Sequence, residues 1–458
     1  MNNPNQSHPE MRTKVEIFMI PKSASAFFCL VIIISLAFPS LALSQSVPEE
    51  LTDQTRRAII DSISLAIRDY YVIPAVADDM CESMMNKLNS GQYDSITKLA
   101  DFTNQLTNDL REVSKDVHLK VQPIQVNNDE SEVADSVEIQ QQRSAEWRKA
   151  NFGFRQIERL DGNIGYIDLS GFYDVQYAAP TAIAAMNFLA NSDALIIDLR
   201  RNTGGNGNMS KLLSSYFFSE PTHLLDFYNR KGEIERQHWT EEYVPGPRLI
   251  DIPFYILVSH ATLSAAEGFS YALKHLNRAK IIGETTRGGA NPMESHNFPG
   301  LSISVNVPFV MGRSPITKTN WEGTGIEPDI SVPASEALEV AHMEALKSLM
   351  NTTESEQEKR MLAMIAEEVE AKLNPVTLGE DDLKAYVGSY GQQGMQVTVR
   401  DGKLNVAGYI LVPIGDDKFM AMNGEEQVQF DRSNTGDIAG MVVLFRDGRK
   451  VSFMRSDD

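Results

Sequence analysis

The sequence predicts an α/β protein in three parts: an N-terminal helical domain, an α/β core and a small C-terminal all-β domain. Three observations predict it. Residues 47–113 repeat apolar side chains at helical spacing. From about residue 152, short continuous apolar runs alternate with helical segments, the pattern of a buried parallel sheet with crossovers. From about residue 378, strand-like runs are separated by Asp-Gly and Asn-Gly turns.

In chain order, Arg12, Lys14 and Lys22 precede an apolar run from Ala24 to Leu43 that ends in small residues, Ala42-Leu43-Ser44. This reads as a secretory signal peptide over 1–44, the competing reading being an uncleaved anchor. Cys29 lies early in that run, which argues against a lipoprotein cleavage site. Residues 45–124 form the helical domain, with Ile59, Ile60, Ile63, Ala66 and Ile67 on one face and Phe102, Leu106 and Leu110 on another. Thr52 and Asp94 are the expected helix starts. Cys81 falls in an apolar helical pattern and reads as a buried thiol. The polar stretch 125–151 is a linker.

The core spans 152–345. Strands are expected at Ile164–Leu169, Ala194–Leu199, Phe254–Val258 and Ala279–Gly283, with a half-buried strand at Leu301–Phe309. Helices are expected at Ala179–Leu189, around Leu212–Phe217 and over 264–276. Residues 346–376 are a helical linker, and 377–458 the β domain, with turns at Asp401-Gly402, Asn423-Gly424 and Asp447-Gly448.

Composition narrows the chemistry. The 458 residues carry 42 Lys+Arg against 62 Asp+Glu, a net charge of −20. Loss of the leader's three basic and two acidic residues makes it −21. Such a chain has no basic surplus with which to neutralise phosphates, so no nucleic-acid partner is expected. Two cysteines support neither a disulfide framework nor a Cys-rich zinc site. The eight histidines include no HExxH pair, so neither metal nor cofactor is expected. No stretch after the leader could span a membrane, which points to an exported enzyme or binding protein, periplasmic or extracellular.

Four motifs could carry chemistry. Ser259-His-Ala-Thr-Leu-Ser264-Ala265-Ala-Glu267 joins a buried strand to an amphipathic helix. A serine at a helix start can act as a nucleophile beside backbone donors, but Ser264-x-x-Glu267 also has the form of a capping box. Asp198-Leu-Arg-Arg-Asn-Thr-Gly204-Gly205 places two glycines after a buried strand, either an anion nest or an ordinary turn. It lacks the endings of nucleotide-binding loops. Trp321-Glu322-Gly-Thr-Gly-Ile-Glu-Pro-Asp329 holds a carboxylate between glycines, or is a solvated turn. Asp116-Val117-His118 holds a histidine beside apolar residues, a placement that is usually structural.

In order and wording these motifs, together with Ile282-Gly-Glu-Thr-Thr-Arg-Gly-Gly289, resemble the tail-specific (C-terminal processing) serine protease family. The nearest branch is that of the tricorn core peptidase and the interphotoreceptor retinoid-binding protein modules. The resemblance covers roughly 47–345 and implies a crotonase-like or Clp-protease-like spiral core. It implies Ser264 as nucleophile, His118 as base and Glu322 as the carboxylate that orients it, with an oxyanion hole from the N–H groups of Gly204 or Gly205 and of Ala265. The processing proteases use a lysine where this chain reads Arg287-Gly288-Gly289-Ala290, so a Ser–Lys dyad is excluded there. The serine that precedes the histidine in the tricorn-like branch is Val117 here, and no PDZ module fits between His118 and the core. His260 and His296 are rival bases. The expected function is an exported serine peptidase acting on peptides or unfolded proteins. The alternative is a non-catalytic module that binds a lipid or apolar peptide.

Overall fold

The computed structural model describes residues 51–124, 142, 144–422 and 425–456. The expected signal segment, most of the 125–151 linker and the Asn423-Gly424 turn lie outside the described residues.

Helix α1 (Asp53–Tyr70) is capped by Thr52, whose hydroxyl accepts from Thr55 N at 3.1 Å. It packs with α2 (Pro74–Asn89) and α3 (Leu99–Ser114). Asp94 does not start α3. The chain first makes a turn that offers the Asp94 and Ile96 carbonyls to the buried Arg56 guanidinium, and the helix begins at Leu99. Cys81 is a buried free thiol. The apolar face of these helices covers a three-stranded sheet of β1 (Lys120–Pro123), β9 (Met293–Phe298) and β10 (Ile303–Pro308), with β10 in the centre. That strand is more buried than its alternation suggests, because only Asn306 escapes full burial. Residues 144–149, expected within a linker, are helical. Trp147 anchors them edge-on against Tyr173 and Tyr177, at 5.7 and 5.8 Å.

The central sheet has the order β12-β8-β7-β4-β3-β2. Its strands are β2 (Phe154–Leu160), β3 (Ile164–Leu169), β4 (Ala194–Asp198), β7 (Phe254–Val258), β8 (Lys280–Gly283) and β12 (Ile330–Ser331). All pairings are parallel except β2–β3. The continuous apolar runs are explained by cover on both faces. Ile167, Leu195, Ile197, Ile256 and Ile281 face α4 (Val175–Phe188), α5 (Gly207–Ser214) and α6 (Ala265–His275). Ile164, Ala194, Ile196, Leu257 and Ile282 face α7 (Ala337–Thr352) and α8 (Glu356–Leu373). Residues 346–373 are therefore not a linker. The 345/346 boundary falls inside α7, and both helices bury Ala341, Leu346, Leu362 and Ile365 against the sheet.

A small sheet of β5 (His223–Tyr228), β6 (Ile234–Trp239) and β11 (Met311–Arg313) leaves the core between β4 and β7. After α9 (Glu380–Lys384) come eight consecutive antiparallel strands, β13 (Gly388–Tyr390) to β20 (Lys450–Met454). The first and last of them also pair: Gly391 N donates to Met454 O and Ser456 N to Ser389 O, both at 2.8 Å. The all-β part is thus a closed up-and-down barrel, which removes its free edges. It is tied to the core by Arg446, which reaches Asp161 and Glu368. Residues 48–458 form one compact unit.

Candidate active site

Ser264 stands where the turn after β7 enters α6. Thr262 holds that turn against the core: its hydroxyl donates to Leu199 O at 2.8 Å and accepts from Ser259 N at 2.9 Å. Ser264 itself has φ 58° and ψ −120°, a conformation an L-residue keeps only when its surroundings enforce it. Half of the capping box is present. Glu267 reaches back to Ser264 N at 2.9 Å, but the serine side chain makes no capping bond. Its hydroxyl is left free for other work.

Glu267, 0 % exposed, does more than cap. Its Oε2 accepts from Ser264 N and Gly289 N, and its Oε1 from Thr286 Oγ1 and Gly288 N. Burial raises its pKa, and these four bonds oppose that shift. The segment Arg287–Ala290, which carries no lysine, thus works through its backbone. One end holds Glu267. The other holds Glu322, whose Oε2 accepts from Ala290 N at 2.6 Å and Asn291 N at 3.0 Å. Trp321 Nε1 donates to Gly289 O at 3.0 Å. A Cβ at Gly289 would lie 2.7 Å from His118 Cε1 and 2.6 Å from Leu263 Cδ1, so glycine lets the imidazole approach the nucleophile's turn.

The glycine pair after β4 meets the serine from the other side. A Cβ at Gly204 would stand 2.7 Å from Ser264 Cβ and 3.0 Å from Ala265 N. Gly205, at φ 127°, packs so closely on Phe172 that a Cβ would fall 2.1 Å from its carbonyl oxygen. Of the expected oxyanion donors, Gly204 is corrected: its N–H already donates to Asn202 Oδ1 at 2.9 Å. Asn202 is itself buried and donates to Leu169 O, which fixes this loop. The N–H groups of Gly205 and Ala265 have no acceptor among the described residues.

His118, Ser264, Ala265 and Gly205 line one cavity of about 470 Å³, a volume that suits a peptide side chain and its flanking backbone. Glu322 lies behind the imidazole. Asp116, His118 and Glu322 each offer an atom within 4.8 Å of the others. Three of the four carboxylate oxygens are taken. Asp116 Oδ1 accepts from His118 N, Asp116 Oδ2 from Asn291 Nδ2, and Glu322 Oε2 from the two backbone N–H groups. In this cluster His118 Nδ1, Glu322 Oε1 and Asn291 Oδ1 are buried without hydrogen-bond partners. The carboxylate oxygen nearest His118 Nδ1 is Asp116 Oδ1, at 3.8 Å.

Burial lowers the pKa of His118, Asp116's charge opposes this, and Arg111 and Arg287 reinforce it. Burial, then Asp116's charge, pushes Glu322 up to about 8. Asp116, fully buried, is the residue sequence reasoning passed over. Its signal was present: an aspartate two residues before His118 can bond that residue's N–H. Removal of its charge lowers the pKa of both neighbours. Asp116→Asn is expected to move the acid limb of kcat/KM to lower pH, on the order of one unit. A pH–rate profile superimposable on the wild type would contradict this.

The rival bases stand elsewhere. His260 is exposed and His296 stacks on Tyr70 at 4.3 Å; neither lines the cavity. Sequence reasoning also missed the cavity's far wall. Leu225, Phe227, Arg236 and His238 come from the β5–β6 hairpin, with Met293 and Trp321 beside them. Burial and Arg236 lower His238 to about 4, so it is neutral at pH 7.

A strained serine between a parallel strand and a helix, with an imidazole and unpaired backbone N–H groups around one cavity, is a set of groups that serine-hydrolase chemistry requires. Residues 163–332 match the model of Peptidase family S41, and residues 44–151 match that of the N-terminal domain of Peptidase_S41 in eukaryotic IRBP. The segment 163–332 is thus similar to peptidase family S41, and the chain resembles the carboxyl-terminal processing proteases, as its motifs imply. Against the "Carboxy-terminal processing protease CtpA" of Bacillus subtilis (strain 168) it is 25 % identical over 194 residues, 42 % of this chain and 40 % of that one. Against the "Carboxyl-terminal-processing protease" of Picosynechococcus sp. it is 31 % identical over 153 residues, 33 % and 35 % of the two chains. The chain therefore spans about two fifths or less of these relatives. Among solved structures, the photosystem II D1 C-terminal processing protease gives a TM-score of 0.39 at 14 % identity, covering 61 % of this chain and 93 % of that one. The tricorn protease gives 0.40 at 13 % identity, covering 69 % and 37 %.

Proposed function

We propose that this protein is an exported serine peptidase that cleaves peptides or unfolded proteins through an acyl-enzyme. One observation carries the reading: Ser264, free of any cap, shares a cavity with His118 and with the unpaired N–H groups of Gly205 and Ala265. Ser264 Oγ attacks the peptide carbonyl. His118 Nε2 takes the proton and returns it to the leaving amine. Ionised Glu322 accepts from Nδ1–H through Oε1, which fixes the tautomer and stabilises the imidazolium. Protonated Glu322 would instead donate to Nδ1 and leave Nε2 unable to act as base, so activity rises as Glu322 ionises. The carbonyl oxygen is held by Gly205 and Ala265, each such donor worth about 2.7–4 kcal/mol. Export rests on the basic and apolar leader 1–44. Among the described residues no helix is long and apolar enough to cross a membrane.

A fluorophosphonate probe tests the reading. The wild type is expected to label at Ser264, His118→Ala to label much more slowly, and Ser264→Ala not at all. Label that persists in Ser264→Ala removes the assignment. A folded wild type that neither labels nor cleaves casein would favour a binding module.

A further inference from the structure

We propose that the C-terminal barrel is a second binding site, for a small neutral apolar molecule, independent of the catalytic cavity. Closure of β13 on β20 makes the inward side chains of eight strands face one another, and a barrel of this size is either filled by its own side chains or holds one small ligand. This one does both. One end is plugged by mutually packed Tyr386, Tyr390, Phe419 and Phe430. The other end is hollow. A cavity of about 230 Å³ opens there among Val406, Leu411, Ala421, Val428, Phe445 and Phe453. The space opens to solvent and its lining is almost wholly apolar, so an apolar molecule that fills it removes that surface from water. A cavity of ~150 Å³ lined by aliphatic and aromatic groups stays dry and takes up benzene.

The lining sets the ligand's chemistry. Glu426 is its one charged residue, and Tyr409 at the rim is 50 % exposed. An apolar pocket beside a carboxylate repels a fatty-acid carboxylate and accepts an uncharged chain or ring. The structure thus assigns a short alkyl chain or single ring bearing a neutral group. No lining residue is shared with the Ser264 cavity.

The test uses the full chain and the neutral single-ring ligand benzyl alcohol, followed by isothermal titration calorimetry. Saturable binding at one site per chain is expected, displaced by 1-octanol and far less by octanoate at pH 8. Ala421→Phe fills the hollow and is expected to weaken binding by about tenfold or more. Tyr409→Ala, at the exposed rim, is expected to weaken it with no change in thermal midpoint. Ser264→Ala is expected to bind as the wild type does. Absence of saturable binding, or unchanged affinity in both barrel variants, overturns the proposal. Equal displacement by octanoate overturns the assigned neutrality.

Discussion

Ser264→Ala is expected to lower kcat for casein or peptide hydrolysis by about 10⁴–10⁶-fold, the range found when a nucleophilic serine is removed. Its urea midpoint is expected to match the wild type. The two outcomes separate because the Ser264 hydroxyl makes no capping bond, and alanine keeps the Cβ that already tolerates φ 58°. On the proposed reading the residue is expected to contribute chemistry rather than stability. A variant that retains more than a few per cent of wild-type turnover would place the nucleophile elsewhere. A variant that loses turnover only with a large fall in urea midpoint would make Ser264 a cap.

Glu267→Gln is expected to do the reverse and unfold at lower urea. One orientation of the amide puts NH₂ against Ser264 N and Gly289 N, and the other against Gly288 N and the Thr286 hydroxyl, which can turn to accept, so at least one backbone N–H loses its acceptor. A donor orphaned inside the protein costs about 1–3 kcal/mol. Activity falls with stability, because the 286–291 segment that Glu267 holds also positions Glu322. The measurement is the urea midpoint at constant m-value. A midpoint equal to the wild type would show that Glu267 is not the anchor of this loop. Ser264-x-x-Glu267 is thus neither simply a cap nor simply a catalytic motif. The serine is free, and the glutamate ties the helix start to the loop that carries the site's second half.

Much of this was legible before folding. The strand at Ala194–Asp198 and that at Phe254–Val258 were marked by apolar runs because both sheet faces are covered. Read locally, Ser264 had the form of a cap, His118 of a structural histidine and Glu322 of a solvated turn; only the order of the four motifs together, through the family resemblance, pointed to them as a site. What escaped has one physical cause: contacts between residues distant in sequence. Asn291 meets Asp116 across 175 positions, and nothing local to either foretells it. Asn202 removes Gly204's N–H through a side chain two residues away, a competition that spacing alone does not rank. The β5–β6 hairpin has mixed polar and apolar strands, and its cavity wall exists only because it folds over α6. Five of the eight barrel strands were expected from their turns, but closure is set where 389–391 meets 454–456.

The sequence by itself determined the class of each element and which residue types could do chemistry. Periodicity, turn dipeptides and the reactivity of hydroxyl, imidazole and carboxylate are local properties that need no partner to be read. Only the tertiary structure decided which of those groups meet, which N–H groups stay free and where space is left. It did so because burial and backbone hydrogen bonding are satisfied for the whole chain at once. A glycine loop that looked like an anion nest gave one donor to an asparagine, and a β tail that looked like a sheet closed around a cavity.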